Sequence, residues 1–180
     1  MLHVNSNCEA FEGGTDTLGY LAGGLDLTNV RMKLADPEEG KGLSEEELDL
    51  AEAEYRKFLA LHLMHPDADI VPCHLVDDIW HQHILDTICR EDCNAIFGRF
   101  LDHFPYFGMR GDDDAQALCD AYEDTLLKYE EAFGAPPEGT WRVADAKAKL
   151  PDAVQATEVT LNRLVAIPDI ARGAGHSRPS

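Results

Sequence analysis

Apolar side chains return at alternating three- and four-residue steps along much of this chain, the period of an amphipathic helix. No stretch alternates apolar and polar residues as a half-buried strand would. The clearest stripe is Ala115, Leu118, Tyr122, Leu126, Tyr129 and Phe133, with Asp112 as its cap and Gly134 and Pro136-Pro137 as its stop. A second helix is predicted to begin at Ser44, because Glu47 three residues on completes a capping box and Glu45 and Glu46 suit the positive end of the helix dipole. Its apolar face runs Leu48, Ala51, Tyr55, Phe58 and His62, and Pro66 ends it. Val76, Ile79, Trp80, His83 and Ile84 predict another helix, and residues 92–101 a short one that buries Ile96, Phe97 and Phe100. Leu18 to Leu34 carries a looser stripe interrupted at Gly23-Gly24, followed by the loop "ADPEEGKG". The aromatic, proline-containing "HFPYFGMRG" reads as a packed loop, Trp141 as tucked back onto the domain, and residues 151–164 as one more helix.

These elements predict an all-α protein: one helical-bundle domain of about five to six helices over residues 15–165, with a loose arm at 1–14 and a flexible tail at 166–180. A length of 180 residues with 44% hydrophobic side chains supports a single core without staples. Charge narrows the partners. Thirty-four acids against 15 bases give a net charge of −19, which repels phosphate backbones and anionic headgroups, and the basic residues between Arg142 and Lys149 and at Arg172 and Arg178 are too sparse to form a groove. No nucleic acid and no membrane is the expectation, and the partner class left is a protein, a peptide or a small molecule. The start lacks a basic region followed by an apolar run, so a cytoplasmic location is expected. Five cysteines, an odd number without a CxxC pair, fit reduced thiols that fill the core.

The histidines change the picture most. Five of the eight (His62, His65, His74, His81 and His83) fall within 22 residues, where an even spread would place about one. Side chains two apart on a helix diverge by about 200°, so His81 and His83 cannot share one ion. Asp77 lies one turn before His81, and two readings stay open. In one, Asp77 and His81 hold a divalent metal (zinc, iron or manganese) that His62 or His65 completes from the neighbouring helix, with a position left for water. In the other, Asp77 holds the tautomer of a buried His81 and no metal is involved. Asp102 and His103 are candidate outside ligands. Cys89 and Cys93, four apart, could hold a soft metal with Cys73 or His74, at a spacing unlike zinc modules. The acidic run 36–54 lacks the ligand alternation and central glycine of a calcium loop.

Asp77, Ile79, Trp80, His81 and His83, followed by Asp92-Cys93 and Gly98, resemble the core signature, with its WHxH motif, of the glycine-rich-domain-containing-protein-like family. The preceding "YRKFLALHLMHPD" and Ile70 to Pro72 resemble that family's approach to it. The resemblance covers residues 44–110 and extends toward 137. It implies a helical domain of compact bacterial type with Trp80, Asp92 and Cys93 as structural members of the motif, and it carries no established reaction. The glycine-rich tracts and RNA-binding domains of larger members are missing, and Ile88-Cys89 stands where relatives tend to have a tyrosine. Two functions compete. In one, Asp77, Trp80, His81 and His83 organise a helix interface in a binding or interaction module. In the other, a small metal-dependent enzyme acts on a peptide or metabolite with His62, Asp77 and His81 as ligands and His83 or His103 as proton carrier.

Overall fold

The capping box forms as its sequence predicts. The Ser44 backbone N–H donates to the Glu47 carboxylate at 2.9 Å and the Glu47 N–H donates to Ser44 Oγ at 3.3 Å, which satisfies two donors that the helix start would leave unpaired. The computed structural model describes residues 14–141, and within them the chain is all-α. Its helices are α1 (Gly14–Gly19, continued by a π-helical turn at Tyr20–Gly24), α2 (Thr28–Ala35), α3 (Glu45–Met64), α4 (His74–Leu85), α5 (Cys89–Phe97) and α6 (Asp112–Phe133). There is no strand among the described residues. The expected arm at 1–14, apart from its last residue, the helix at 151–164 and the tail at 166–180 lie outside them.

The helix α3 is the axis of the core. Its predicted face of Leu48, Ala51, Tyr55 and Phe58 is fully buried, and so are Glu54, Leu59 and Leu61. The buried arc is wider than one stripe because α2 and α4 cover one side while α6 and Trp141 close another. At its N-terminal side Arg56 gathers the irregular turn after α1: its guanidinium donates to the carbonyls of Leu21 and Leu25, the latter at 2.8 Å, and is held by Glu52. The regular α-helical period gives way at Tyr20 to the π-helical turn, and the guanidinium supplies donors to two carbonyls within and just after it.

Three boundaries differ from the sequence pattern. The helix α5 starts at Cys89, three residues before Asp92, and stops at Phe97 rather than Leu101, because Gly98 takes a left-handed φ of 66°. Asp112 is the first residue of α6 and caps nothing; Gly111 holds the cap position, while Asp114 turns back to accept from the backbone N–H groups of Gly108 and Arg110 at 2.7 and 3.1 Å. Within α6, Thr125 is fully buried where the stripe would put Leu126, and Phe133 lies at the surface. The Thr125 hydroxyl donates to the Ala121 carbonyl and accepts from Val71 N–H at 3.0 Å, so burying it tethers the connection between α3 and α4. The longest helices, α3 and α6, are rich in charge, and no described helix is long and apolar enough to cross a membrane.

Glu54 is the strongest polar tie between α3 and α6. Its buried carboxylate accepts from Lys57 Nζ (2.7 Å), Tyr129 Oη (2.8 Å) and Trp141 Nε1 (2.7 Å). Glu54→Ala strips three donors of their acceptor at once and is expected to lower unfolding free energy by about 3 kcal/mol in urea titration. A loss under about 1 kcal/mol would show that the three donors find other partners.

Candidate functional site

One turn of α4 sends its two histidines to opposite surroundings. His83, 1% exposed, points into the core, where its Nδ1 meets Tyr55 Oη at 2.9 Å and its Nε2 meets Asp92 Oδ2 at 2.9 Å. The other Asp92 oxygen accepts from Tyr20 Oη at 2.5 Å. An ionised carboxylate can only accept, so the pattern places the imidazole proton on Nε2 and leaves Nδ1 to accept from the Tyr55 hydroxyl. Tyr20 is pushed up to about 12, chiefly because its hydroxyl donates to the Asp92 carboxylate, and burial raises Tyr55 well above the usual phenol range. This chain of four side chains joins α1's turn, α3, α4 and α5. With both nitrogens engaged and no exposure, His83 does not reach a substrate, which corrects its reading as a proton carrier.

Beside Asp92 the thiols of Cys89 and Cys93 approach to 3.8 Å. The Cys89 thiol donating to its neighbour draws Cys93 down to about 7, helped by the Leu101 N–H, while Cys89 is raised. Both are buried, as is Trp80, so the motif members Trp80, Asp92 and Cys93 all sit in the core. Among the described residues neither Cys73 nor His74 joins the two thiols in a cluster of metal-ligand atoms.

The other half of the motif faces a cavity. Asp77 and His81, one turn apart on α4, meet His103 from the loop before α6, and one ligand atom from each lies within 4.8 Å of the others. Asp77 Oδ1 stands 3.4 Å from His103 Nε2 and 3.6 Å from His81 Nδ1. The His103 ring is wedged edge-on between His81, at 4.3 Å between centroids, and Trp80, at 4.6 Å. His81 Nδ1 also lies 2.8 Å from the Asp77 main-chain carbonyl. A proton on Nδ1, donated to that carbonyl, leaves the lone pair on Nε2, the arrangement that orients metal-binding imidazoles. The His81 side chain is 49% exposed, against 15% for Asp77 and His103, so the expectation of a buried His81 is corrected.

The loop that delivers His103 is held firmly. Gly108 has a φ of 86°, and a β-carbon there would stand 2.5 Å from Leu118 Cδ2, so only glycine lets the loop lie against α6. Asp114 anchors the same loop through the two backbone bonds described above. The result is a cavity of about 400 Å³ between this loop, the connection 68–72 and the faces of α3 and α4, with Asp77, His81 and His103 in its wall.

His62 lines the cavity but does not join the group of ligand atoms. Its ring is packed edge-on against Phe58 and Phe97 and lies beside Trp80, which leaves its Nε2 buried and without a partner among the described residues. His65 closes the C-terminus of α3 and lies outside both the cavity lining and the cluster. The structure therefore brings together Asp77, His81 and His103, in place of the set completed by His62 or His65. Asp102, next to His103, stands on the exposed rim.

The fold and this site define a small helical domain with a His₂Asp cluster at the mouth of a cavity. The chain belongs to the UCP032817-like family, whose model matches residues 29–122, over half its length and inclusive of every residue in both halves of the motif. No match emerged among curated proteins or among solved structures.

His62 supplies a test of the wall. Burial, with a smaller contribution from Arg99, pulls its pKa from 6.5 down to about 4. The folded chain resists a proton that the unfolded chain accepts, so stability is unaffected above pH 6.5 and falls as pH drops from 6.5 toward 4. Urea unfolding of the native protein and of His62→Phe across that window is expected to show the native chain losing about 2–3 kcal/mol more on acidification. Parallel curves would mean that the ring is hydrated.

Proposed function

We propose that this protein is a metal-dependent binding domain in which Asp77, His81 and His103 hold one divalent ion at the mouth of the cavity, and a small molecule or peptide end completes its coordination. The observation that carries this reading is the convergence of two imidazoles and one carboxylate from two separate elements onto one point of the cavity wall. Mixed imidazole and carboxylate ligands suit zinc, iron or manganese, and three protein ligands leave positions open for water or ligand. The half-exposed His81 keeps that side reachable from solvent. The buried half of the motif, Trp80, His83 and Asp92, fixes the angle at which α4 presents the ligands; in this sense the motif is both architectural and functional. We extend the proposal to kinship with the glycine-rich-domain-containing-protein-like family, on the motif residues quoted above, and to a cytoplasmic setting in which transition metals are exchanged between proteins.

A second reading is supported by the ligand count. Catalytic zinc characteristically has three protein ligands and one water, and such an ion lowers the pKa of its water to about 7. On that reading the site is a small hydrolase for a peptide or metabolite, with His103 as ligand rather than proton carrier.

Elemental analysis and calorimetry on protein without a histidine tag test both readings. About one equivalent of zinc, iron or manganese is expected, with affinity lowered roughly a hundredfold in His81→Ala, His103→Ala and Asp77→Asn at little change in melting temperature. Asp92→Asn is expected to do the reverse, reducing stability while leaving metal uptake intact. A folded chain that takes up none of these ions at micromolar concentration overturns the metal centre.

A further inference from the structure

We infer that the cavity selects a small amine: a molecule whose ammonium sits at the acidic rim, whose apolar body fills the aromatic interior, and which carries a neutral carbonyl as hydrogen-bond acceptor. This specificity rests on the cavity assigned above and adds the charge and shape of what enters it.

The rim supplies the first argument. Beyond Asp77, the cavity is bordered by two further carboxylates, Asp69 and Asp102, both exposed, and none of the described residues that line it is a lysine or arginine. Two cations share the loop and lie outside the lining: Arg110 is committed to Asp114 at 2.6 Å and lies over the Phe104 ring, and Arg99, whose charge reaches His62, stands opposite three carboxylates. With a divalent ion on Asp77 and neutral imidazoles, the site still carries the two rim charges. A phosphate or carboxylate ligand would gain from the ion and be repelled by both, whereas an ammonium turned toward the rim gains from both.

The interior supplies the second. Its wall includes Trp80 and Phe107 among aliphatic side chains, with Phe104, exposed and covered by Arg110, at its edge, and such a surface favours an apolar body. Trp80 is 5% exposed, and its indole N–H is buried without an acceptor among the described residues. An unpaired buried donor is unfavourable, and indole can only donate, so the complementary group on a ligand is an oxygen acceptor without a proton to give. His62, alongside, adds no positive charge at neutral pH, being held neutral by burial. Cation at the rim, ring in the cavity and carbonyl at the wall together describe an amino-acid amide or a peptide amino terminus better than a nucleotide, a sugar or a fatty acid.

The test uses three probes of one size against the full-length chain, with zinc uptake measured first in the same calorimeter. Phenylalaninamide carries the ammonium, 3-phenylpropanamide lacks it, and benzylmalonamic acid has a carboxylate in its place. Phenylalaninamide is expected to bind about tenfold tighter than the neutral amide, and the anion more weakly still. In Asp69→Asn/Asp102→Asn, with folding checked by circular dichroism, that preference is expected to shrink to about twofold, and raising salt is expected to narrow it in the native chain. Equal binding of the amine and the neutral amide, tighter binding of the anion, no binding of any probe, or an unchanged preference in the double variant would each overturn the inference. The two readings separate cleanly. A chain that takes no zinc yet prefers the amine removes the metal centre and keeps the specificity, and a chain that takes zinc without preference does the opposite.

Discussion

The bond between His83 and Asp92 fixes the rotation of α4, and the geometry of the site follows from that rotation. Each residue of a helix advances about 100°, so a side chain locked in one direction sets the direction of all the others. His83 is locked from both ends, by Tyr55 on α3 and by Asp92 on α5, and Asp92 is locked in turn by Tyr20. With His83 turned into the core, His81 is carried to the far side and Asp77, one turn earlier, stands beneath it. A rotation of α4 by one residue would turn Asp77 and His81 away from His103 and pull His83 off both its partners.

A buried network of this kind contributes more to specificity than to net stability, since the desolvation of its members offsets much of what their hydrogen bonds return. Apolar packing around it supplies the driving force: Val76 and Ile79 of α4 and Leu48, Ala51 and Phe58 of α3 are almost wholly removed from water. The same division of labour recurs at the other end of the core, where Glu54 aligns α6 and Trp141 against α3, and Thr125 tethers the chain at Val71. From α6 the alignment passes through Asp114 and the close approach at Gly108 to the loop that bears His103. Asp77 and His81 on α4 and His103 on the loop are thus positioned by two separate buried polar ties.

Much of this was legible in the sequence, for reasons that also mark where legibility ended. Helical period, a capping box and proline or glycine stops are local signals, and α3, α4 and α6 lie close to where those signals put them. Opposite faces for His81 and His83 followed from helix geometry alone. The buried carboxylate partner of His83 did not, because Asp92 comes nine residues later across a turn; His103, 26 past Asp77 on a loop with no period to read, stood among the candidate outside ligands, but its place in the cluster is visible only in the packing. Proximity on the helical wheel favoured His62, and only tertiary packing shows its ring consumed by Phe58, Trp80 and Phe97. The start of α5 at Cys89 was hidden by the absence of any capping side chain before it.

The proposed metal site would give so acidic a chain a use for histidines held together. A net charge of −19 raises the local concentration of cations around the whole surface, but exposed carboxylates hold hydrated ions loosely and without preference. Imidazole nitrogen, softer than carboxylate oxygen, discriminates in favour of transition metals, and it does so without adding negative charge. In the proposed site, two imidazoles and one carboxylate would leave a bound dication with a residual positive charge at the metal, beside a rim that is negative. On the proposed reading that gradient would orient a cationic ligand, with its charged end turned to the rim. An all-carboxylate cluster on the same helix would lack this polarity, which is the physical reason to regard His81 and His103 as the residues that turn an acidic surface into a directional site.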